Sequence, residues 1–334
     1  MDPDALDSVG RAVHGGSTAD LDFSANTNPE RPPGVERVYE AAFESATRYP
    51  DESYADYREA AADYVGCDAD HVVPTAGGTE AIRLALATHV SPGDSVLLPT
   101  PSFGEYSREV RLQGADPTFV AHDELVDASV DSHAAAVVCT PNNPTGDLVS
   151  HAKLADFAAR CRDHGTLLLV DEAFLDFTEQ ASLAGTDGTV VCRSLTKMFG
   201  LPGLRMGFAC ATGSARDRLD VARPAWNLSA PAAAVGAYCL DQTAFVERTR
   251  TRVDAERRRM RDRLDALGYD VSPSVAPFLL VDVGSRPVDA LVETLAADGI
   301  AVRDCASFGL ESHVRLAVKR AAENDRLLEA LADV

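Results

Sequence analysis

The sequence predicts an α/β fold built on a largely parallel sheet, followed by a smaller α+β unit. Between residues 71 and 210, short apolar segments alternate with segments of helical periodicity, which is the pattern of parallel strands joined by helices. Two apolar segments, 135–139 and 166–170, are typical of strands that are buried on both faces. After residue 243 the rhythm changes to a long arginine-rich helix, followed by short strands and helices.

Turn residues separate the elements of the first part. A short strand from Leu21 enters an asparagine-rich loop, and the segment 31–34, Arg-Pro-Pro-Gly, is a turn. Pro50 breaks the helical pattern, which resumes near Tyr54 with Ser53 as the expected N-cap. The expected helices are 35–45, 54–65, 77–89, 103–113 and 150–164. The expected strands are 71–74, 95–99, 116–120, 135–139, 166–170, 189–193 and 208–210.

The last part begins with a predicted helix over 244–267, which should turn Val253, Met260, Leu264 and Leu267 inward. The elements expected after it are strands at 278–283, 300–303 and 313–318 and helices at 288–297 and 325–332. We expect three units: an N-terminal arm over 1–40 that joins the small domain, a large domain over 41–242, and a small C-terminal domain over 243–334.

The 334-residue chain has a formal net charge of −21 and only three lysines, Lys153, Lys197 and Lys319. Its acidic residues are spread along the chain, a composition typical of a surface that keeps a protein hydrated and soluble at high salt. This charge disfavours nucleic-acid binding, because phosphate backbones need a basic face. The composition indicates an environment and leaves the chemistry open.

Membrane insertion and metal binding find no support in the sequence. No apolar run approaches the length of a membrane span, and the first residues are acidic, unlike those of a secretory signal peptide. We therefore expect a cytoplasmic protein. The seven cysteines are scattered and include no CxxC pair, which argues against a disulfide framework and against a zinc site.

The segment 194–207, Ser-Leu-Thr-Lys-Met-Phe-Gly-Leu-Pro-Gly-Leu-Arg-Met-Gly, gives the strongest chemical indication. Lys197 lies between hydroxyl side chains and a glycine-rich loop, and lysine is the residue that condenses with the aldehyde of pyridoxal 5'-phosphate (PLP). Ser194 and Arg205 supply a hydroxyl and a guanidinium that suit the phosphate of this cofactor. The alternative is a surface loop with an incidental lysine, which the length of the pattern disfavours.

Two further motifs suit the same cofactor. Gly77, Gly78 and Thr79 open a predicted helix, so their N–H groups and the helix dipole form an anion site, although no Lys-Ser/Thr follows to make a P-loop. Asp171 ends an apolar strand, where burial of a carboxylate without a partner costs free energy. A carboxylate at this position can keep the pyridine nitrogen of PLP protonated. The alternatives are an ordinary strand–helix turn and a helix N-cap aspartate.

These motifs resemble those of fold-type I PLP enzymes and occur in the same order. Two further segments share the resemblance: 142–146, Asn-Asn-Pro-Thr-Gly, and 171–177, Asp-Glu-Ala-Phe-Leu-Asp-Phe. Over nearly its whole length, the chain resembles the branch that holds threonine-phosphate decarboxylases and histidinol-phosphate aminotransferases. The resemblance implies a large domain with a mostly parallel seven-stranded sheet, a small α+β domain, PLP as cofactor and a homodimer.

The resemblance also implies roles for single residues. Phe103 matches the aromatic residue that stacks on the pyridine ring, and Asn143 matches the asparagine that hydrogen-bonds the phenolic oxygen of the cofactor; the alternatives are a core phenylalanine and a turn asparagine. Arg315 matches the arginine that holds the α-carboxylate of the substrate. Tyr49 matches a tyrosine that reaches the cofactor phosphate of the neighbouring subunit, or it is a packing residue before a proline. Phe174 stands where many of these enzymes have a tyrosine that donates to the phenolic oxygen.

The substrate follows from weaker similarities. Arg303, with Asn28, Arg11 and His14 near the mouth of the site, suits a phosphate-bearing end of the substrate. The alternative for each of these four residues is an ordinary polar side chain on the surface. The Asn-rich loop 22–29, Phe174 and the segment 303–305 look more like threonine-phosphate decarboxylases. We therefore expect a small phosphorylated amino acid as substrate: L-threonine O-3-phosphate, decarboxylated to (R)-1-amino-2-propanol O-2-phosphate for cobalamin synthesis. The alternatives are a histidinol-phosphate aminotransferase and a non-catalytic PLP-fold binding protein.

Overall fold

A computed structural model describes residues 1–333 of the protein. Its strands are β1 (Leu21–Asp22), β2 (Val72–Thr75), β3 (Ser95–Thr100), β4 (Asp116–Ala121), β5 (Ala135–Cys139), β6 (Leu167–Asp171), β7 (Thr189–Ser194), β8 (Gly207–Ala211), β9 (Asp270–Val271), β10 (Phe278–Asp282), β11 (Ile300–Ala301), β12 (Arg303–Asp304) and β13 (His313–Ala317). Its α-helices are α1 (Val35–Phe43), α2 (Ala55–Val65), α3 (Gly78–His89), α4 (Glu105–Leu112), α5 (His151–Asp163), α6 (Leu195–Met198), α7 (Gly213–Ala222), α8 (Ala230–Leu240), α9 (Thr243–Ala266), α10 (Val288–Ala297) and α11 (Ala321–Ala332). Within residues 1–333, none of the helices is long and apolar enough to cross a bilayer.

The predicted large sheet is confirmed, with seven strands in the order β2-β8-β7-β6-β5-β3-β4. Strand β8 runs antiparallel to both of its neighbours, and the other four pairs are parallel. In β6, Leu167 and Leu169 pack on one face of the sheet, whereas Leu168 and Val170 pack on the other. Because both faces are covered, the strand is a continuous apolar run and shows no alternation with polar residues. The parallel arrangement brings the carboxyl ends of β3, β5, β6 and β7 to one edge.

A second sheet organises the C-terminal part. It has four antiparallel strands in the order β12-β13-β10-β9. The long helix α9 contacts β9 and β10 and buries Val253, Met260 and Leu264, as its periodicity predicts, while Leu267 is only half-buried. At the other end of the chain, β1 pairs in parallel with β11, which attaches the N-terminal arm to the C-terminal part. The domain boundaries at residues 40 and 242 stay a prediction.

Some local predictions were wrong. Ser53 is not the N-cap of α2, because Tyr54 occupies that position with a left-handed backbone (φ 45°). The hydroxyl of Tyr54 donates to the carbonyl of Leu228. Residues 300–303 are not one strand, since Val302 separates β11, which pairs with β1, from β12, which pairs with β13. The sequence patterns did not predict α6, α7, α8 and β9. Helix α8 is mostly alanine and other small residues, so it lacks a clear helical period.

A buried ion-pair network connects the carboxyl ends of β6 and β7. Arg193 in β7 is 3% exposed and donates to Glu172 Oε2 at 2.9 Å and to Asp176 Oδ1. The hydroxyl of Tyr64 donates to the same oxygen of Asp176 at 2.9 Å. The network therefore fixes two strand ends at which predicted site residues stand.

Replacement of this arginine should destabilise the protein strongly. Arg193→Met should lower the free energy of unfolding by about 3–5 kcal/mol, because it leaves Glu172 and Asp176 buried without a counter-charge. Urea unfolding measures the change. As a control, Arg162→Met removes a half-exposed guanidinium paired with Asp163 at 3.7 Å and should change the free energy of unfolding by less than about 1 kcal/mol. Equal losses in the two variants would contradict a stabilising role for the buried network.

Candidate active site

A cavity lies at the carboxyl ends of the parallel strands, where ligands bind in open α/β sheets. It has a volume of about 260 Å³ and is lined by residues from the N-terminal arm, the large sheet and the small sheet. The predicted site residues that line it are His14, Gly78, Thr79, Phe103, Asn143, Asp171, Ser194, Lys197, Arg205, Arg303 and Arg315. The fold thus brings together residues that are spread over three hundred positions of the sequence.

Lys197 lies in the short helix α6, directly after β7. Burial, together with the guanidinium groups of Arg315 and Arg205, lowers the pKa of the Lys197 ammonium to about 8. The carboxylate of Asp171 acts in the opposite direction but does not cancel these effects. An amine with this pKa is partly unprotonated near neutral pH, which is the state that a nucleophilic lysine requires.

Asp171 is the last residue of β6 and is 5% exposed. Its Oδ2 accepts a 2.5 Å hydrogen bond from the hydroxyl of Tyr106, and its Oδ1 accepts a 3.0 Å hydrogen bond from the N–H of Ala173. Burial raises the pKa of Asp171, and the hydrogen bond from Tyr106 opposes this shift. A cationic group bound in the cavity would favour the charged carboxylate. The aspartate does not cap a helix, because no α-helix begins between residues 171 and 188.

The amino end of α3 lies at the cavity, where the sequence predicts an anion site. Gly78 and Thr79 begin this helix, so their N–H groups have no acceptor within it. A Cβ at Gly78 would come within 3.2 Å of Ser194 Cβ, and a Cβ at Gly77 would lie 2.5 Å from Arg205 Nη2. The two glycines therefore let a hydroxyl and a guanidinium approach the helix end closely. This combination of donors and positive charge suits a phosphate group.

Asn143 and Arg315 contact each other across the cavity. Arg315 donates to Asn143 Oδ1 at 2.5 Å through Nη1 and to the carbonyl of Ser24 at 2.8 Å through Nη2. Its guanidinium is buried, which lowers its pKa to about 10, and its Nε makes no hydrogen bond within residues 1–333. A buried guanidinium that contacts no carboxylate is suited to bind an anionic ligand.

Aromatic rings form the apolar walls of the cavity. Phe103 is tilted against the ring of His14, with 5.6 Å between the ring centroids. Phe174 packs edge-on against Phe278 at 5.1 Å, and its ring centroid lies 6.0 Å from Lys197 Nζ. The wall beside the lysine therefore has no hydroxyl at the position of Phe174.

A second guanidinium stands beside Arg315. Arg303 and Arg315 are register partners on β12 and β13. Arg303 donates to the carbonyl of Val13 at 2.9 Å, and His14 Nε2 lies 2.8 Å from Glu105 Oε1. These two contacts hold the N-terminal arm against the cavity.

A model of the family described as aminotransferase class I and II matches residues 18–331. The chain belongs to the class I and II aminotransferase family. Threonine-phosphate decarboxylase of Salmonella typhimurium is 32% identical, over 94% of this chain and 91% of that protein. Histidinol-phosphate aminotransferase 1 of Archaeoglobus fulgidus is also 32% identical, over 93% of this chain and 98% of that protein. In fold, the chain matches the crystal structure of histidinol-phosphate aminotransferase from Sinorhizobium meliloti in complex with PLP, with a TM-score of 0.89. The two chains are 21% identical, and the match covers 100% of this chain and 97% of that one.

Family membership makes PLP the cofactor of this aminotransferase-family chain. The cavity fits the group, because it holds an amine of lowered pKa at Lys197 and a buried carboxylate at Asp171. It also presents a helix amino end with a guanidinium, from Arg205, for a phosphate. In this family PLP acts as an electron sink, and we assign the protein groups that would hold it from their positions in the cavity.

The asparagine-rich loop corrects one predicted substrate contact. Asn28 does not line the cavity, because its Nδ2 donates to the carbonyl of Met198 at 2.8 Å and its Oδ1 accepts from Arg252 at 2.6 Å. The N–H of Asn28 also donates to the carbonyl of Lys197 at 3.0 Å, so this residue holds the lysine segment in place. Asn26 lines the cavity instead, and within residues 1–333 its buried Oδ1 has no hydrogen-bond partner. The sequence shows the asparagines, but the path of the loop determines which one faces the cavity.

Three other predicted residues do not line the cavity. Gly77 directly precedes α3, and it is the next residue, Gly78, that lines the cavity. Arg11 is exposed to solvent and does not line it, which corrects its predicted place at the mouth of the site. Tyr49 is 77% exposed, and its ring stacks on Trp226 with 4.2 Å between centroids. Its contact with a cofactor phosphate requires a second copy of the chain and stays a prediction.

Tyr106 is a site residue that no sequence pattern predicted. It stands 65 positions before Asp171, on α4, and only the packing of this helix on the sheet brings its hydroxyl to the carboxylate. A buried tyrosine in an amphipathic helix resembles any core residue in the sequence.

Lys319 supports the loop that presents Asn26. Its Nζ donates to the carbonyls of Ala25 at 3.3 Å and Thr27 at 3.2 Å. Burial lowers the pKa of this ammonium. The lysine therefore fixes both neighbours of Asn26.

The reactivity of Lys197 in the apoprotein should report its lowered pKa. Acetylation by acetic anhydride, followed by peptide mass spectrometry, should show a rate at Lys197 that levels off above about pH 8, because the amine is then mostly unprotonated. An ordinary lysine amine, with a pKa of about 10.4, keeps gaining reactivity at higher pH. The exposed Lys153 serves as the internal comparison for the reagent. A Lys197 rate that still rises steeply above pH 9 would contradict the lowered pKa.

Removal of the Lys319 ammonium should loosen the Asn26 loop. Lys319→Met should lower the free energy of unfolding by about 1–3 kcal/mol, because the carbonyls of Ala25 and Thr27 lose their donor. Lys319→Arg, which keeps a cation and its donors, should recover most of this loss in urea unfolding. Lys153→Met is the surface control and should be neutral. A Lys319→Met protein as stable as wild type would show that the loop does not depend on this contact.

Proposed function

We propose that the protein decarboxylates L-threonine O-3-phosphate to (R)-1-amino-2-propanol O-2-phosphate, a step of cobalamin synthesis, with PLP as cofactor. The observation that supports this most directly is the pair of buried guanidinium groups of Arg303 and Arg315, which are cross-strand partners and both line the cavity. Directly opposed residues have Cβ atoms about 4.5–5.5 Å apart. Two guanidinium groups that stand on neighbouring positions of the sheet suit a short substrate whose carboxylate and phosphate are separated by a few bonds.

The residues divide the work of such a reaction. Bound PLP supplies an electron sink for the electron pair released at the α-carbon of the substrate. Arg315 binds the carboxylate, and Arg303 with His14 binds the phosphate, so that two anchors fix the orientation of the α-carbon. This orientation determines which bond of the α-carbon breaks. Lys197, with a pKa of about 8, is suited to deliver a proton to the α-carbon after carbon dioxide leaves.

The relatives and one sequence feature support this choice. The Salmonella typhimurium relative named threonine-phosphate decarboxylase aligns over almost the full length of both chains. Phe174, in the segment Asp-Glu-Ala-Phe, also resembles that group of enzymes and lies beside Lys197 in the cavity.

A second candidate is histidinol-phosphate aminotransferase activity. It is favoured by the Archaeoglobus fulgidus relative, which is as similar as the decarboxylase. The guanidinium pair is compatible with it as well, because a dicarboxylate amino donor such as glutamate also has two anionic groups close together. A non-catalytic binding role is disfavoured, since Lys197, Asp171 and Arg315 share one cavity.

Carbon dioxide release separates the two candidates. The PLP-loaded protein, in the high salt that its acidic composition suggests, should release CO2 from L-threonine O-3-phosphate without any keto acid. Lys197→Ala should abolish this release. Conversion of histidinol phosphate that depends on 2-oxoglutarate, with no CO2 from threonine phosphate, would instead establish the aminotransferase.

Arg303 should determine the preference for a phosphorylated substrate. Arg303→Met should raise the KM for L-threonine O-3-phosphate about 10- to 100-fold, because a charge-assisted hydrogen bond to the phosphate, about 1.5–3 kcal/mol, is lost. The KM for unphosphorylated L-threonine should change little. Arg263→Met, on the exposed side of α9, is the matched control. A parallel loss for both substrates would assign Arg303 a structural role in holding the N-terminal arm.

We also propose that the active form is a homodimer. The exposed aromatic residues Phe43, Tyr49 and Trp226 are large apolar side chains of the kind that mark protein interfaces. Tyr49 lines a second concavity, together with alanines of α8. A second copy of the chain on this face would bury the stacked pair Tyr49 and Trp226 and give Tyr49 its predicted place at the partner's cofactor.

Sedimentation velocity tests this assembly. Wild type should sediment at twice the mass of the chain, and a Tyr49→Ser, Trp226→Ser double variant should shift toward the monomer and bind PLP more weakly. Val221→Ser removes another exposed apolar side chain and should leave the dimer intact. A wild-type monomer at micromolar concentration would contradict the homodimer.

A further inference from the structure

Two cysteines outside the active site are in contact. Cys67 Sγ and Cys210 Sγ lie 4.0 Å apart, although 143 positions separate them in the sequence. Cys67 is only partly buried, whereas Cys210 is fully buried. Neither residue lines the active-site cavity, and the reaction proposed above uses neither thiol.

The backbone places both thiols. Cys67 follows Gly66, the left-handed C-cap of α2 (φ 79°), and its N–H donates to the carbonyl of Ala62 at 3.0 Å. Cys210 lies inside β8, where its register partner on β2 is Val72. Because β2 begins only five residues after Cys67, the turn that follows α2 lies close to the strand that holds Cys210. The contact between the sulfur atoms is therefore a consequence of two fixed elements.

The two thiols suit different steps of disulfide formation. Cys67 suits the attack on an oxidant, and Cys210 suits the later attack on the oxidised Cys67, the role of a resolving thiol. The hydrogen bond between them lowers the pKa of Cys67 and raises the pKa of Cys210, and burial also raises the pKa of Cys210. Thiolates react with peroxides and thiols do not, and access decides which thiolate is reached. The other five cysteines are all buried. Cys67 is therefore the thiol that an oxidant in solution meets first, and Cys210 lies in contact with it.

We propose that Cys67 and Cys210 form a reversible modification site, a dithiol that a peroxide oxidises to a disulfide. The Cys67 thiolate attacks a peroxide oxygen, so that an S–O bond forms, the O–O bond breaks and the leaving hydroxide takes up a proton. The thiol of Cys210 then attacks the sulfur of the Cys67 sulfenic acid, which forms the S–S bond and breaks the S–O bond. The departing hydroxide takes the proton of Cys210 and leaves as water. In total the two thiols lose two electrons, and the peroxide is reduced to two water molecules.

The geometry allows this step. The sulfur atoms must approach from 4.0 Å to about 2.05 Å. Cys67 lies in a turn between α2 and β2, so its side chain can make the approach while β8 keeps its place in the sheet. Disulfide formation would also stop Cys67 at a stage that thiols can reverse, before it reaches the irreversible sulfinic acid.

Hydrogen peroxide at a few equivalents tests the site on the full-length, PLP-loaded protein. Wild type should lose two of its seven thiols, yield a single linked peptide pair that contains Cys67 and Cys210, and recover both thiols with dithiothreitol. Cys67→Ser should lose no thiol. Cys210→Ala should retain Cys67 as a sulfenic acid that dimedone labels, because the resolving thiol is absent. Cys239→Ala, at another fully buried cysteine, should still form the linked pair.

Three results would overturn the proposal: no loss of thiols in wild type, oxidation of Cys67 to sulfinic acid without a linked peptide, or a linked pair that involves another cysteine. If Cys210→Ala does not fold, the wild-type peptide map and the Cys67→Ser variant are sufficient to decide.

Discussion

The active-site cavity collects positive charges that are not paired with any carboxylate of residues 1–333, and the rest of the site is built around this constraint. Lys197, Arg205 and Arg315 line it, and the hydrogen bonds of the two arginines go to carbonyl and amide oxygens. Arg315 is 5% exposed, and burial of an ion without a counter-charge costs several kcal/mol. The site is therefore complete only when anionic groups enter it, and a cofactor phosphate and an acidic substrate are groups of this kind. The lowered pKa of Lys197 follows from its burial, to which the same crowding of like charges adds.

Rigid contacts keep these repelling groups in place. The Arg193 network fixes the ends of β6 and β7, Asn28 donates to the carbonyls of Lys197 and Met198, and Lys319 supports the loop that presents Asn26. Arg315 in turn comes from the small sheet and contacts Asn143 of the large one. Substrate recognition therefore depends on how the small sheet and the N-terminal arm lie against the large sheet.

The charge of the cavity contrasts with that of the whole chain. A formal net charge of −21 repels anionic molecules at a distance, whereas the local cations attract them at close range. Salt screens the long-range repulsion, with a Debye length of about 3 Å at 1 M, and affects buried contacts much less. High salt should thus favour entry of an anionic substrate, which is physically consistent with the predicted high-salt environment.

The sequence by itself determined the fold class, the family resemblance and the chemical identity of the central residues, because continuous apolar strands and the residues of the Lys197 segment are local patterns. It could also indicate Asp171, Asn143 and Arg315, since Asp171 ends an apolar strand, Asn143 stands in a short motif after another strand, and Arg315 interrupts an apolar one. Only the tertiary structure decided that Tyr106 contacts Asp171, that Asn26 faces the cavity and that Asn28 holds the lysine segment. These contacts join positions far apart in the chain, and they depend on strand order, helix packing and loop path, which no local pattern encodes.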